Sequence, residues 1–165
     1  MGIPLILDLG CGNNKQPGAW GVDISTTADV DQHINLDRTP WALKDNYFFI
    51  VYALQVLEHL GNRVKTMEEI WRICRPGALV IISVPDGLCE GYVQDPTHRQ
   101  PWSIGTFLYF CPGQFLSSQK MPPYNIKASF KVVDYHTRIK QKAPWGEQWY
   151  ADDLRVVLRA IKEQE

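Results

Sequence analysis

The sequence predicts an α/β fold: a mostly parallel sheet with an antiparallel C-terminal strand and a first connecting helix that is short or missing. Three observations lead there. Residues 5–9, 47–54 and 78–85 are apolar runs without strict alternation, as in strands covered on both faces. A single segment, residues 62–74, carries a clear helical period. Residues 126–138 alternate instead, as an antiparallel strand with one wet face does.

In chain order, the first strand runs into Asp8 and is followed by Gly10-Cys11-Gly12, a turn in which backbone N–H groups can approach a ligand with no Cβ in the way. Pro17-Gly18 leaves no room for a helix before Trp20-Gly21-Val22-Asp23-Ile24, a second strand ending in a carboxylate. Residues 30–36 alternate well enough for a third strand, which Asp37-Arg38-Thr39-Pro40 breaks. The aromatic and β-branched run 47–54 is a central fourth strand. Val64, Met67, Ile70, Trp71 and Cys74 then recur at helical steps, with Asn62 as N-cap and Arg75-Pro76-Gly77 as the stop. Residues 78–85 form the fifth strand. Residues 86–124, rich in glycine, proline and aromatics, read as an inserted lid on the substrate side, with short helices near 103–110 and 113–118. Residues 153–162 fit a strand or a helix, with strand preferred. The whole chain, 1–165, reads as one domain.

Composition narrows the function. A net charge of −1 gives no global field toward nucleic acid or anionic membrane. Lys120, Lys127, Lys131, Arg138, Lys140 and Lys142 gather in one span, but no aromatic platform is interleaved with them in a recognisable module, so nucleic acid is not favoured. No apolar run reaches the length of a membrane span. The cysteines Cys11, Cys74, Cys89 and Cys111 lack a C-x-x-C pair and read as reduced thiols, so a cytoplasmic setting is expected.

The glycine turn departs from a dinucleotide fingerprint. The third glycine is replaced by Lys15, the helix that would seat a pyrophosphate is missing, and Asp23 arrives early. A nucleoside cofactor needs only close backbone approach, a ribose carboxylate and an apolar slot, and S-adenosylmethionine meets those terms. Leu7-Asp8-Leu9-Gly10-Cys11-Gly12, Gly21-Val22-Asp23-Ile24, Val56-Leu57-Glu58-His59-Leu60, Arg75-Pro76-Gly77-Ala78-Leu79 and Asp95-Pro96-Thr97-His98-Arg99 resemble, in order and spacing, the class I S-adenosylmethionine-dependent methyltransferases, above all small type 11 members. The resemblance covers residues 5–110 and implies a Rossmann-like methyltransferase sheet.

It also implies site residues. Asp8, Gly10, Cys11 and Gly12 match the glycine motif around the cofactor. Asp23 matches the ribose acid, followed by Ile24. Asn35, Leu36 and Asp37 match the adenine loop, and Leu54 and Gln55 match the strand end beside the sulfonium. Lys15 stands where it could serve the cofactor carboxylate in place of the absent helix. Imidazole ordinarily titrates near ~6.5, which makes His98 a candidate proton acceptor with Asp95 as its orienting group. Arg99 and Trp102 join His98 as substrate candidates. Asp95 and His98 alone fall short of a metal-ligand set, so no metal is expected. Glu58-His59 reads as a loop-ordering pair. The expected reaction is methyl transfer to an oxygen or nitrogen nucleophile, most readily of a small molecule. The alternative is an inactive domain of the same fold that binds the cofactor or a partner.

Overall fold

The computed structural model describes residues 5–26, 30–114, 125–140 and 150–162. Seven strands form one sheet: β1 (Ile6–Leu9), β2 (Trp20–Asp23), β3 (Gln32–His33), β4 (Phe48–Leu54), β5 (Cys74–Pro85), β6 (Phe130–Lys140) and β7 (Tyr150–Ala160). Their order is β3-β2-β1-β4-β5-β7-β6. The first five are mutually parallel, whereas β7 runs antiparallel to both β5 and β6. The sequence leaves residues 153–162 open between helix and strand, and they are the strand β7. This is the Rossmann-like arrangement that the resemblance implies, mostly parallel with one antiparallel strand, β7, at the C-terminal end.

Helix α1 (Arg63–Ile73) begins at Asn62, whose side chain accepts from the Lys65 N–H at 3.0 Å. Its buried face is Thr66, Met67, Glu69, Ile70 and Ile73; Val64 is exposed and Trp71 only half-buried, a small rotation from the face expected. Glu69 explains the difference. It accepts from the Trp41 N–H at 2.6 Å and from Arg72, whose guanidinium also donates to the Trp41 and Leu43 carbonyls. A helix that faces a loop lacking a helix of its own needs polar groups to satisfy that loop's backbone. The helix stops where expected, but β5 starts at once at Cys74. Arg75, Pro76, Gly77 and Ala78 bulge between the pairs Phe48↔Cys74 and Ile50↔Leu79.

No helix joins β1 to β2, as the proline and glycine there require. The third strand is shorter than expected: only Gln32 and His33 pair, with Val22 and Asp23, because the chain turns away at Asp23. The segment after β5 holds two short helices, α2 (Glu90–Gln94), not expected from the sequence, and α3 (Ile104–Leu108), where one was expected. Ser103 and Thr106 close a reciprocal capping box on α3. The helix expected at 113–118 lies almost wholly outside the described residues. Leu7, Leu9, Val51, Ala53, Val80 and Ile82 fill the sheet's centre, with Trp102, Phe107 and Phe130 packed into the same core. Among the described residues, no helix is long and apolar enough to cross a membrane.

Candidate active site

Parallel strands place the ends of β1, β2, β3 and β4 on one edge, and β1 lies between β2 and β4, where the strand order reverses. That crevice is where such sheets bind ligands. Gly10 and Gly12 take φ of +61° and +49° to turn the chain there. The Gly10 and Cys11 N–H groups donate to the Val22 carbonyl at 2.8 and 3.2 Å. Asp8, 2% exposed, accepts from the Gln16 N–H at 2.8 Å and so holds the helix-free connection in place. Burial raises its pKa, opposed by that N–H and by Lys15. The Asp23 carboxylate accepts from the Gly12 N–H at 2.9 Å and the Ser25 N–H at 2.7 Å. Burial, reinforced by the charges of Asp8 and Asp23, pushes the Cys11 thiol up to about 11. Lys15 pairs with Asp31 at 2.8 Å, and Asp31 also accepts from the Gly21 N–H at 2.7 Å. These bonds lower the Asp31 pKa.

A cleft of about 290 Å³ opens on this edge, lined by Gly10, Asp23, Ile24, Asn35, Leu36, Asp37 and Gln55 of the expected residues. Ile34, Val56, His59 and Leu60 complete it; in the sequence none of them is assigned to the cofactor, and His59 reads there as half of a loop-ordering pair. Val56 and Leu60 carry a signal in retrospect, as apolar residues directly after a strand end in the matching motif. Asp8, Cys11, Gly12 and Leu54 do not line the cleft. The Asp37 carboxylate is engaged by the Gly61 N–H at 2.8 Å and by Arg99 at 2.6 Å, so it braces loops. Asn35 accepts from the Asp37 N–H at 3.0 Å.

These residues fit an adenosyl cofactor. A Cβ added at Gly10 would lie 2.3 Å from a Val56 methyl, so the turn has no space for a side chain. Asp23 is a carboxylate at the end of β2 that lines the cleft, and Ile34, Leu36, Val56 and Leu60 supply apolar walls.

Gln55 belongs to two cavities. Beyond it lies an open pocket of about 570 Å³, lined by Gln55, Pro85, Gln94, Asp95, His98 and Asp153 among others. Gln55 holds φ +55°, a conformation costly for a residue with a side chain and often found at functional sites. Its amide donates to Ser83 Oγ at 3.1 Å and to Asp153 at 3.2 Å. His98 Nδ1 lies 2.8 Å from the Tyr92 carbonyl, an acceptor, so Nδ1 carries a proton. Nε2 lies 3.7 Å from Asp95, and the ring stacks on Tyr92 with centroids 5.3 Å apart. The Asp95 carboxylate accepts from the Thr97 hydroxyl at 2.6 Å and the Thr97 N–H at 2.8 Å, which lowers its pKa.

The other two substrate candidates do not reach this pocket. Arg99 is turned to Asp37, and Trp102 is 1% exposed, stacked on Phe107 at 4.8 Å within the core. Glu58, read in the sequence as half of a loop-ordering pair with His59, is 1% exposed, and the pair does bond the loop of residues 97–100. The Glu58 carbonyl accepts from the Arg99 and Gln100 N–H groups at 2.7 and 3.1 Å. Both oxygens of its carboxyl lack a hydrogen-bond partner among the described residues. Burial pushes this carboxyl up to about 7; its own backbone N–H opposes the rise, and the charges of Asp153 and Asp95 add to it. A further cavity of about 840 Å³, between Asn62, Gln100, Thr106 and Phe110, is lined by none of Glu58, Asp95, His98, Arg99 and Trp102.

Strand order, glycine turn and ribose-side carboxylate together define a class I S-adenosylmethionine-dependent methyltransferase fold. A family model described as a methyltransferase domain matches residues 5–150. The chain belongs to that family, and its cofactor is S-adenosylmethionine. The structure is similar to an S-adenosylmethionine-dependent methyltransferase of Mesorhizobium loti, with a TM-score of 0.64, 15% identity, and 96% of this chain and 91% of that one covered. It is also similar to a counterpart from Methanosarcina mazei (TM-score 0.62, 13% identity, 96% and 92% covered). A third, from Archaeoglobus fulgidus, gives a TM-score of 0.63 at 14% identity over 96% and 86% of the two chains. At these identities the likeness concerns the fold. None of the curated proteins compared matches the chain.

Proposed function

We propose that this chain methylates an oxygen or nitrogen nucleophile of a small molecule seated in the pocket of Gln55, Asp95, His98 and Asp153. The observation that carries the reading is Gln55, which lines both the cofactor cleft and that open pocket. Bound S-adenosylmethionine supplies a methyl group on positively charged sulfur, activated for in-line displacement. The residues that would hold it are Gly10 at the turn, Asp23 at the ribose, and Ile24, Asn35 and Leu36 around the base, with Asp8, Cys11 and Gly12 shaping the turn from behind.

The protein's part is alignment and exclusion of water, and positioning of two reactants is worth roughly 7–11 kcal/mol. Gln55 serves it by being locked: its backbone N–H donates to the Ser83 carbonyl at 2.7 Å while its side chain spans to Asp153. His98 meets the acceptor through Nε2, and Asp95 borders it. Residues 86–114 form the substrate side of the same domain. We further place the protein among the type 11-like members and in the cytoplasm, where its four buried cysteines stay reduced.

Calorimetric titration with S-adenosylmethionine and with S-adenosylhomocysteine, on wild type and Asp23→Ala, tests the cofactor side. Charge-assisted bonds to two ribose hydroxyls contribute roughly 1.5–3 kcal/mol each, so the variant should bind at least tenfold more weakly. Undiminished binding by Asp23→Ala removes this residue from the site. On the acceptor side, turnover of hydroxyl and amine panels should fall in Asp153→Ala with cofactor affinity kept; cofactor binding without turnover of any acceptor would leave a binding domain instead.

A further inference from the structure

Asp95 and His98 alone are too few to hold a metal, but the fold adds two ligands from residues forty positions earlier. The ligand atoms of Glu58, His59 and His98 all lie within 4.8 Å of one another. We propose that these three side chains bind a divalent first-row transition metal ion at the junction of the cofactor cleft and the acceptor pocket. There the ion would take the hydroxyl oxygen of the acceptor as a further ligand.

Two independent features point to an ion. The first is Glu58: a carboxyl so deeply buried, with both oxygens unpartnered among the described residues, is unfavourable as an anion unless a cation meets it. The charges that act on it, those of Asp153 and Asp95, are also acidic. Arg99, whose backbone crosses Glu58, sends its guanidinium to Asp37.

The second is the tautomeric state of both imidazoles. The Tyr92 carbonyl fixes the proton of His98 on Nδ1. In His59, Nδ1 lies 3.1 Å from Thr97 Oγ1. That hydroxyl already donates to Asp95 and can only accept from the ring. Both rings therefore hold Nδ1 on an outer partner and leave Nε2 as the nitrogen free to bind a metal, the orientation that outer partners give in built metal sites. Their centroids are 4.9 Å apart.

Two imidazoles and one carboxylate suit zinc, manganese, iron or cobalt better than magnesium or calcium. At metal–ligand distances of about 2.1 Å the three donors must draw together slightly, and three protein ligands leave positions open. His59 lines the cofactor cleft and His98 the acceptor pocket, so those positions face the place where the two substrates meet. The ion would make a hydroxyl bound there more acidic: the O–H bond would break, its electron pair would stay on the metal-held oxygen, and the proton would pass to water in the open pocket. This role rests on the methyl-transfer reading, and it makes the acceptor a hydroxyl compound and His98 a metal ligand.

The test uses the full chain, stripped with chelator and titrated with Co²⁺ as the probe. The expected result is one ion per chain, visible d–d bands of imidazole-bound Co²⁺, and displacement by Zn²⁺. Glu58→Gln, which removes the buried charge and should stay folded, and His98→Asn should each weaken binding at least tenfold. A double variant of the two exposed histidines, His33→Gln with His136→Gln, should leave it unchanged. Absent Co²⁺ bands, or binding that survives Glu58→Gln or depends on His33 and His136, overturns the site. S-adenosylhomocysteine binding to the stripped protein separates the two readings: if it persists while Co²⁺ fails, only the metal site falls. If Co²⁺ binds as expected and the nucleoside does not, the cofactor reading falls instead.

Discussion

Replacing Gly10 by alanine should destabilise the fold far more than the same change two residues on. At φ +61° an L-residue costs roughly 1–2 kcal/mol in backbone strain. The new Cβ would also lie 2.3 Å from Val56 Cγ2 and 2.7 Å from Val56 Cβ, and overpacking of this kind adds about 1–3 kcal/mol. The sum is about 2–5 kcal/mol, a large share of the ~5–15 kcal/mol that holds a typical domain together. Gly12, at φ +49° with nothing within 4 Å of its added Cβ, should lose only the first part, about 1–2 kcal/mol. The assay is equilibrium unfolding in urea, with unchanged slopes required for the comparison. A cycle with Val56→Ala isolates the clash. Removing the two methyls while Cβ stays should recover about 1 kcal/mol or more beyond additivity. Equal losses at Gly10 and Gly12, or no coupling with Val56, would refute the assignment of a crowded turn.

Other changes test the supports of the site. Arg72→Met strands the Glu69 carboxylate and the Trp41 and Leu43 carbonyls, and should cost about 2–3 kcal/mol in urea unfolding after allowing for partial exposure. Lys162→Met should cost about 1–2 kcal/mol in the same measurement, since Nζ donates to the Arg72 and Cys74 carbonyls and lies 4.6 Å over the Trp71 ring. For Asp31 the pH direction follows from its lowered pKa in the folded state. The unfolded chain takes up the proton first as pH falls, so its stabilisation is full above the ordinary carboxylate range and is lost as pH drops through the lowered value. Asp31→Asn should therefore flatten the acid side of the stability–pH profile, read from thermal melts between neutral and acid pH.

The cofactor half was legible in the sequence because its determinants are local. Gly10, Asp23 and Gln55 each sit at a strand end that hydrophobic runs announce, and parallel pairing brings such ends together without further information. The helix-free connection could be foreseen from Pro17-Gly18 alone. The acceptor half was less legible. Glu58 looks like an ordinary loop acid until residues 95–100 cross over it, a contact forty positions away that no local pattern encodes. Arg99 and Trp102 have the chemistry of substrate ligands, yet Asp37 claims one and the Phe107 core the other. Helix α2 escaped notice because five residues are too few to display a period.

The reversed direction of β7 has a design consequence. Because it runs against β5, its early residues, not its last, arrive at the ligand edge, and Asp153 faces Pro85 in the register there. The cofactor cleft is built by the parallel strands and the loops that follow them. The opposing pocket draws on β7 and the segment after β5, and the two linings share Gln55 alone among the described residues. Under the proposed function, acceptor selectivity can therefore be varied at Gln94 or Pro85, which line the opposing pocket and not the cleft, whereas a change at Asp153 would also reach the cleft through Gln55.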